Sequence, residues 1–164
     1  MKPPTVEYLD IATQAGLAGV DISGSETSKQ YIVEATGNGV AIFDFDNDGL
    51  PDIFLVNSGT LDKGAVQPKH FLYRNLGGLK FEDVTEKAGI KPTGWGQGVC
   101  VGDVDNHGYP DLFITRWGQN VLDRNLGNGA FKDETKERGL EAKKLTPSDP
   151  DIDKAIRIAQ ATQR

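Results

Sequence analysis

One acidic nine-residue pattern occurs twice in these 164 residues, and the spacing of its copies limits what the chain can fold into. Asp44-Phe-Asp46-Asn-Asp48-Gly49-Leu-Pro-Asp52 returns as Asp103-Val-Asp105-Asn-His107-Gly108-Tyr-Pro-Asp111, an offset of 59 residues at both ends. The flanks repeat with it: Gly37 to Phe43 aligns with Gly96 to Gly102, and Pro51 to Leu55 with Pro110 to Ile114. Leu72-Tyr-Arg-Asn-Leu-Gly77 and Phe81 to Thr85 return as Leu122-Asp-Arg-Asn-Leu-Gly127 and Phe131 to Thr135, now at an offset of 50. The difference falls in one connection, long from Gly59 to His70 and short from Gly118 to Asn120. A sequence duplicated in register folds as duplicated units that bury their faces on one another.

Each unit reads as four short strands, Gly39 to Phe45, Asp52 to Asn57, Phe71 to Asn75 and Lys80 to Thr85, with equivalents from Gly98 to Thr135. The runs are short, rich in Val, Ile and Phe, and punctuated by Gly, Asn and Pro, which is strand patterning rather than a 3.6-residue period. The acidic loop then lies between the first and second strands of its unit. The end segment occurs a third time, as Tyr8 to Leu17, matching Phe81 to Ile90 and Phe131 to Leu140 but with no acidic loop of its own.

The first loop sets carboxylates at positions 1, 3, 5 and 9. Carboxylates this close repel one another unless a cation sits among them, and an all-oxygen donor set suits Ca²⁺ better than zinc or copper. Gly49 permits the sharp turn that brings them together. Solvated acidic turns have the same composition for conformational reasons alone, so both readings stand. An EF-hand does not fit, because position 12 is Leu55 rather than Glu and the flanks are strand-like.

These motifs resemble the FG-GAP or VCBS repeat, the calcium-loop β-propeller blade of integrin α chains and of many bacterial surface and secreted proteins. The segments around Phe43 to Asn57, Leu72 to Ile90 and Gly94 to Asn120 are similar, more narrowly, to bacterial repeat proteins related to cartilage acidic protein. Those often carry an ASPIC/UnbV domain, which no segment here resembles. The resemblance implies an all-β fold of propeller-type blades, each of four antiparallel strands. It also implies calcium ligation by Asp44, Asp46, Asp48, Asp52 and the Leu50 carbonyl, and in the second loop by Asp103, Asp105, Asp111 and the Tyr109 carbonyl. Position 5 of that loop is His107, whose imidazole is a poor calcium ligand, so weaker binding is expected there.

Four segments follow: a half-repeat and linker over 1–36, blades over 37–90 and 91–140, and a non-repeat tail over 141–164. Asp149 as N-cap and Pro150 at the first position predict a short helix in that tail, with Ile152, Ala155, Ile156 and Ala159 as its apolar stripe. Rings of this type need about four to eight blades. Two units therefore imply missing blades of a longer chain, assembly of several copies, or an open pair. The strand expected near Tyr8 to Thr13 either completes a blade from the opposite terminus or covers the edge of the first.

A formal net charge of −6 argues against nucleic-acid binding. No apolar run reaches membrane-spanning length, and Met1 opens on no signal-peptide core. The family resemblance nonetheless implies an extracellular, cell-surface or periplasmic setting. The single Cys100 aligns with Ala41 inside a strand and is expected to be a small buried residue. The histidines, His70 and His107, come with no nucleophile or independent acid/base pair, so no catalytic residue is assigned and no enzyme is expected. Trp95, Tyr109 and Trp117 can instead form a ligand platform or fill the space between blades. The functional reading is a calcium-binding module for protein or surface adhesion, its ion structural. The alternatives are a carbohydrate-binding or carbohydrate-active propeller fragment and a non-functional gene fragment.

Overall fold

The computed structural model describes residues 7–25, 27, 29, 31–60, 69–92 and 94–141. They form an all-β structure of two four-stranded antiparallel sheets, in the order β1-β2-β3-β4 and β5-β6-β7-β8. The first comprises β1 (Val40–Phe43), β2 (Asp52–Leu55), β3 (Phe71–Asn75) and β4 (Phe81–Asp83). The second comprises β5 (Trp95–Gly102), β6 (Asp111–Trp117), β7 (Val121–Asn125) and β8 (Phe131–Asp133). Both have the strand order of a propeller blade. The helix expected at Asp149 to Gln160 lies outside the described residues, as does the middle of the long loop, 61–68.

The sheets stack face to face, using opposite faces. From the first come Ala41, Phe43, Phe54 and Leu72, together with Phe45 and Val56 from strand ends. From the second come Val99, Leu112, Ile114 and Phe131. Phe54 is equivalent to Phe113, whereas Leu112 and Ile114 are equivalent to Ile53 and Leu55, so the two units bury different sides of the same pattern. Phe54, Leu72 and Leu112 are fully buried, and truncating one such core side chain to Ala costs about 2–5 kcal/mol.

Two glycines meet where the leading strands pass: a Cβ on Gly39, just before β1, would stand 2.8 Å from the Gly98 Cα, so no larger residue fits without moving the sheets apart. This stacking corrects the expectation for Cys100, which is exposed. Ala41 faces the second sheet, but its equivalent Cys100 lies on the face of that sheet turned away from the first.

The strand expected over Tyr8 to Thr13 is also corrected. Tyr8, Leu9 and Asp10 form no strand and are exposed, and Ala12–Ala15 is a helical turn, α1. Past α1 the N-terminal arm lies on the first sheet. The Gly19 N–H donates to the Tyr73 hydroxyl at 2.6 Å, and the Asn57 side chain accepts from the Ile22 N–H at 2.8 Å and donates to the Val20 carbonyl at 2.8 Å.

Candidate metal-binding loops

The acidic loops link β1 to β2 and β5 to β6, and the backbone takes the same path in both. Asn47 and Asn106 have φ of 58° and 57°, and Gly49 and Gly108 have φ of 85° and 92°. Asn and Gly are the residues that adopt this left-handed conformation at least cost.

The first carboxylate staples each turn. Asp44 accepts the N–H groups of Asp48 and Gly49 at 3.1 and 2.8 Å, and Asp103 accepts those of His107 and Gly108 at 3.1 and 2.8 Å. The ninth carboxylate ties the loop to the sheet. Asp52 accepts from Phe45 and Asn75 N–H at 3.0 and 2.7 Å, and Asp111 from Val104 and Asn125 N–H at 2.8 and 2.7 Å. Both are buried. Burial pushes the Asp52 carboxyl up, its two backbone donors oppose this, and the charges of Asp46 and Asp48 add to the rise.

In the first loop, oxygens of Asp44, Asp46 and Asp48 lie within 4.8 Å of one another. Asp46 Oδ1 is buried and has no hydrogen-bond donor among the described residues. Among the described residues one cation enters this loop: Arg74 on β3, whose Nε stands 2.7 Å from Asp46 and whose terminal nitrogen donates to Asp48 at 3.0 Å.

The second loop gathers Asp103, Asp105, His107 and Asp111, again with ligand atoms within 4.8 Å, but its electrostatics differ. His107 Nδ1 stands 3.0 Å from Asp103 and 2.6 Å from Asp105, and its Nε2 is 2.8 Å from the Asn125 carbonyl. The hydrogen bond to Asp103 is the largest influence raising the imidazole pKa, with the Asn125 carbonyl and Asp105 assisting. The Gly108 N–H and then His107 hold Asp103 well below the carboxylate range. Asp105 is lowered chiefly by Arg124, at 2.5 Å, with Arg138 at 3.2 Å adding to it. Among the described residues, the three clustered carboxylates of the first loop have one guanidinium beside them, whereas the three of the second have two guanidiniums and an imidazole.

The Leu50 and Tyr109 backbones occupy equivalent turn positions, and the Tyr109 ring lies 5.6 Å from that of His107. Trp95 and Trp117 are register partners across β5 and β6. Trp95 is buried while Trp117 is 71% exposed, so Trp117 alone of the pair offers an open aromatic surface. His70, also buried, accepts the Asn57 N–H through Nδ1 at 3.0 Å. Asn120 does the same for the Arg116 N–H at 3.0 Å in the second unit.

Two site roles were not assigned from sequence although their signal was there: the Arg-Asn pair at 74–75 recurs at 124–125. Arg74 and Arg124 answer the loop carboxylates. Asn125 donates from its side chain to the Phe45 carbonyl at 2.8 Å, joining the second sheet to the first loop, and Asn47 returns the link by donating to the Gly108 carbonyl at 2.9 Å.

Residues 44–114, from the first acidic loop through most of β6, match the FG-GAP-like repeat. Among curated proteins none matches the chain. No helix among the described residues is long and apolar enough to cross a membrane.

Proposed function

We propose that this chain, with an FG-GAP-like repeat at residues 44–114, is a calcium-binding module of propeller type that serves binding or adhesion to a protein or surface, the ion being structural rather than catalytic. The observation that carries the reading is the charge imbalance of the first loop. Among the described residues, Asp44, Asp46 and Asp48 converge on one point with a single arginine beside them, and a buried oxygen of Asp46 has no donor. A hard divalent cation there would take carboxylate oxygens, offset their repulsion and brace the turn between β1 and β2. Asp52, committed to two backbone N–H groups, would act mainly by fixing that turn.

The second loop supplies its own positive charge through His107, Arg124 and Arg138, and so has less need of an ion. An extracellular, surface or periplasmic setting fits this assignment, since calcium there is abundant enough to fill a site of modest affinity. A calcium titration of the thermal unfolding midpoint, started in chelator, tests it. The midpoint is expected to climb with the logarithm of calcium once calcium exceeds its dissociation constant, a stabilisation of about 2.7 kcal/mol at about 100 times that constant. A folded chain whose midpoint does not respond would reduce the loops to acidic turns.

A further inference from the structure

The two loops differ most at position 5. In the second loop His107 Nε2 stands 2.8 Å from the Asn125 carbonyl, which can only accept, so this nitrogen carries the proton of the neutral ring. The lone pair of that ring is then on Nδ1, which faces Asp103 Oδ1 at 3.0 Å and Asp105 Oδ1 at 2.6 Å. Three electron-rich atoms this close require a positive centre among them, either a proton on Nδ1 or a metal ion. Asp105 Oδ1 is buried, its approach to the ring lacks the geometry of a hydrogen bond, and it has no other donor among the described residues. The guanidiniums of Arg124 and Arg138 both engage the opposite oxygen, Oδ2, and Arg138 is shared with Glu134 at 3.2 Å.

The ring is held in this orientation from outside the cluster. Asn125 is fully buried. Its N–H donates to Asp111 at 2.7 Å, its side chain donates to the Phe45 and Pro110 carbonyls at 2.8 and 3.1 Å, and its side-chain oxygen accepts the Gly127 N–H at 3.0 Å. A histidine whose far nitrogen donates to a backbone carbonyl is the arrangement by which metal sites fix the tautomer and aim the near nitrogen. The first loop has no counterpart, because its position 5 is Asp48, bound to Arg74. Ligand atoms of Asp103, Asp105, His107 and Asp111 lie within 4.8 Å of one another. Four donors about 2.0–2.2 Å from one tetrahedral ion stand roughly 3.3–3.6 Å apart, so shifts of about an ångström would seat them. The backbone N–H groups bound to Asp103 and Asp111 leave those carboxylates lone pairs for an ion.

We infer that the second loop is a site for a transition ion of the zinc class, held by His107 Nδ1 and the carboxylates of Asp103, Asp105 and Asp111. His107 in place of a fourth carboxylate turns a calcium-type loop into one that prefers a softer ion. Imidazole nitrogen suits zinc and its neighbours, whereas calcium takes oxygen and gains little from Nδ1. The arginines and the ion use different oxygens of Asp105, so the charge balance that spares this loop a calcium does not close it to an ion held by coordination. The inference goes beyond the proposed function and stands whether or not the first loop holds calcium.

The test titrates the full chain, freed of metal, first with calcium and then, in excess calcium, with Co²⁺ as a coloured substitute for zinc. The calcium step reads the first loop and the cobalt step the second, so the two readings fail separately. A saturable visible absorption band and a further rise of the unfolding midpoint are expected with Co²⁺, and Zn²⁺ should abolish the band by displacement while keeping the rise. His107→Gln retains a side-chain N–H for the Asn125 carbonyl but removes the imidazole. It should weaken Co²⁺ binding by about 100-fold or more, since loss of even an outer partner costs such sites about 10–100-fold, and it should leave the calcium response unchanged. In the unaltered chain, Zn²⁺ should shift the imidazole resonances of His107 and not those of the buried His70. A folded chain that gives no band, a band of equal affinity in His107→Gln from an adventitious ion elsewhere, or His107 resonances that ignore zinc would each overturn the proposal.

Discussion

Replacing His70 by Asn should remove much of the chain's sensitivity to acid while leaving its hydrogen bonding intact. Burial holds the His70 imidazole down to about 4 from an ordinary 6.5, with the Arg116 charge adding to the effect. The ring accepts the Asn57 N–H through Nδ1, so it must be neutral there when folded. A base with a depressed folded pKa binds fewer protons folded than unfolded, so its contribution is present above pH 6.5 and is lost as pH falls toward 4. Integrating between those values gives a loss of about 2 kcal/mol at pH 5 and about 3 kcal/mol at pH 4. Asparagine already performs this task in the second unit, where Asn120 accepts from Arg116 at 3.0 Å. The assay is the thermal midpoint of both proteins in chelator from pH 7.5 to pH 4.5. At the upper end the variant should be equal or somewhat less stable, having lost the contact of the ring with Phe54 at 5.9 Å. By pH 5 the difference should have moved in the variant's favour by about 4–8 °C for a chain of this size. Asp123, raised to about 7 by burial first and by Asp133 next, pulls the other way, but it is common to both proteins and cancels in the difference. A gap between the two midpoints that does not change with pH would refute the argument.

Asp44→Ala should cost far more in calcium than in chelator, adding the lost ion, about 2.7 kcal/mol at 100 times the dissociation constant, to two broken turn bonds. Asp103→Ala should cost about the same in both, because its loop carries His107, Arg124 and Arg138; equal calcium-dependent losses in denaturant titrations would contradict the charge count. Gly16→Ala and Gly139→Ala both strain a turn residue at positive φ, by about 1 kcal/mol. The first also drives a methyl to 2.4 Å from the Phe81 carbonyl while the second meets nothing, so only the first should release the arm to rapid hydrogen exchange.

Strand positions, the four-strand unit and the loop carboxylates were legible because each rests on local chemistry: β-branched and aromatic runs end at Asn and Gly, and acidic spacing recurs in register. The environment of a given strand position was not legible. Both faces of β1 and β2 are apolar, Ala41 and Phe43 on one side and Val40 and Ile42 on the other, so alternation cannot say which side a neighbouring sheet covers. That is why Cys100 is exposed although its equivalent Ala41 is packed, and why Trp95 is buried while its register partner Trp117 stands open. The arginines of the loops escaped assignment because they lie 26 and 19 residues from the carboxylates they meet and come close only once β3 and β7 pair with their neighbours.

The Glu134–Arg138 pair makes the turn after β8 chemically unlike the turn after β4, where Val84 and Ala88 stand at the same places. A head-to-tail interface open at both ends propagates into a fibre, because each addition regenerates the surface it consumed. Here the described residues differ at the two ends, with Val40 and Ile42 exposed on the first sheet and Glu134 ion-paired to Arg138 after β8. Stacking one copy on another through these surfaces would bury the Glu134–Arg138 pair against Val40 and Ile42, a desolvation cost that works against runaway stacking.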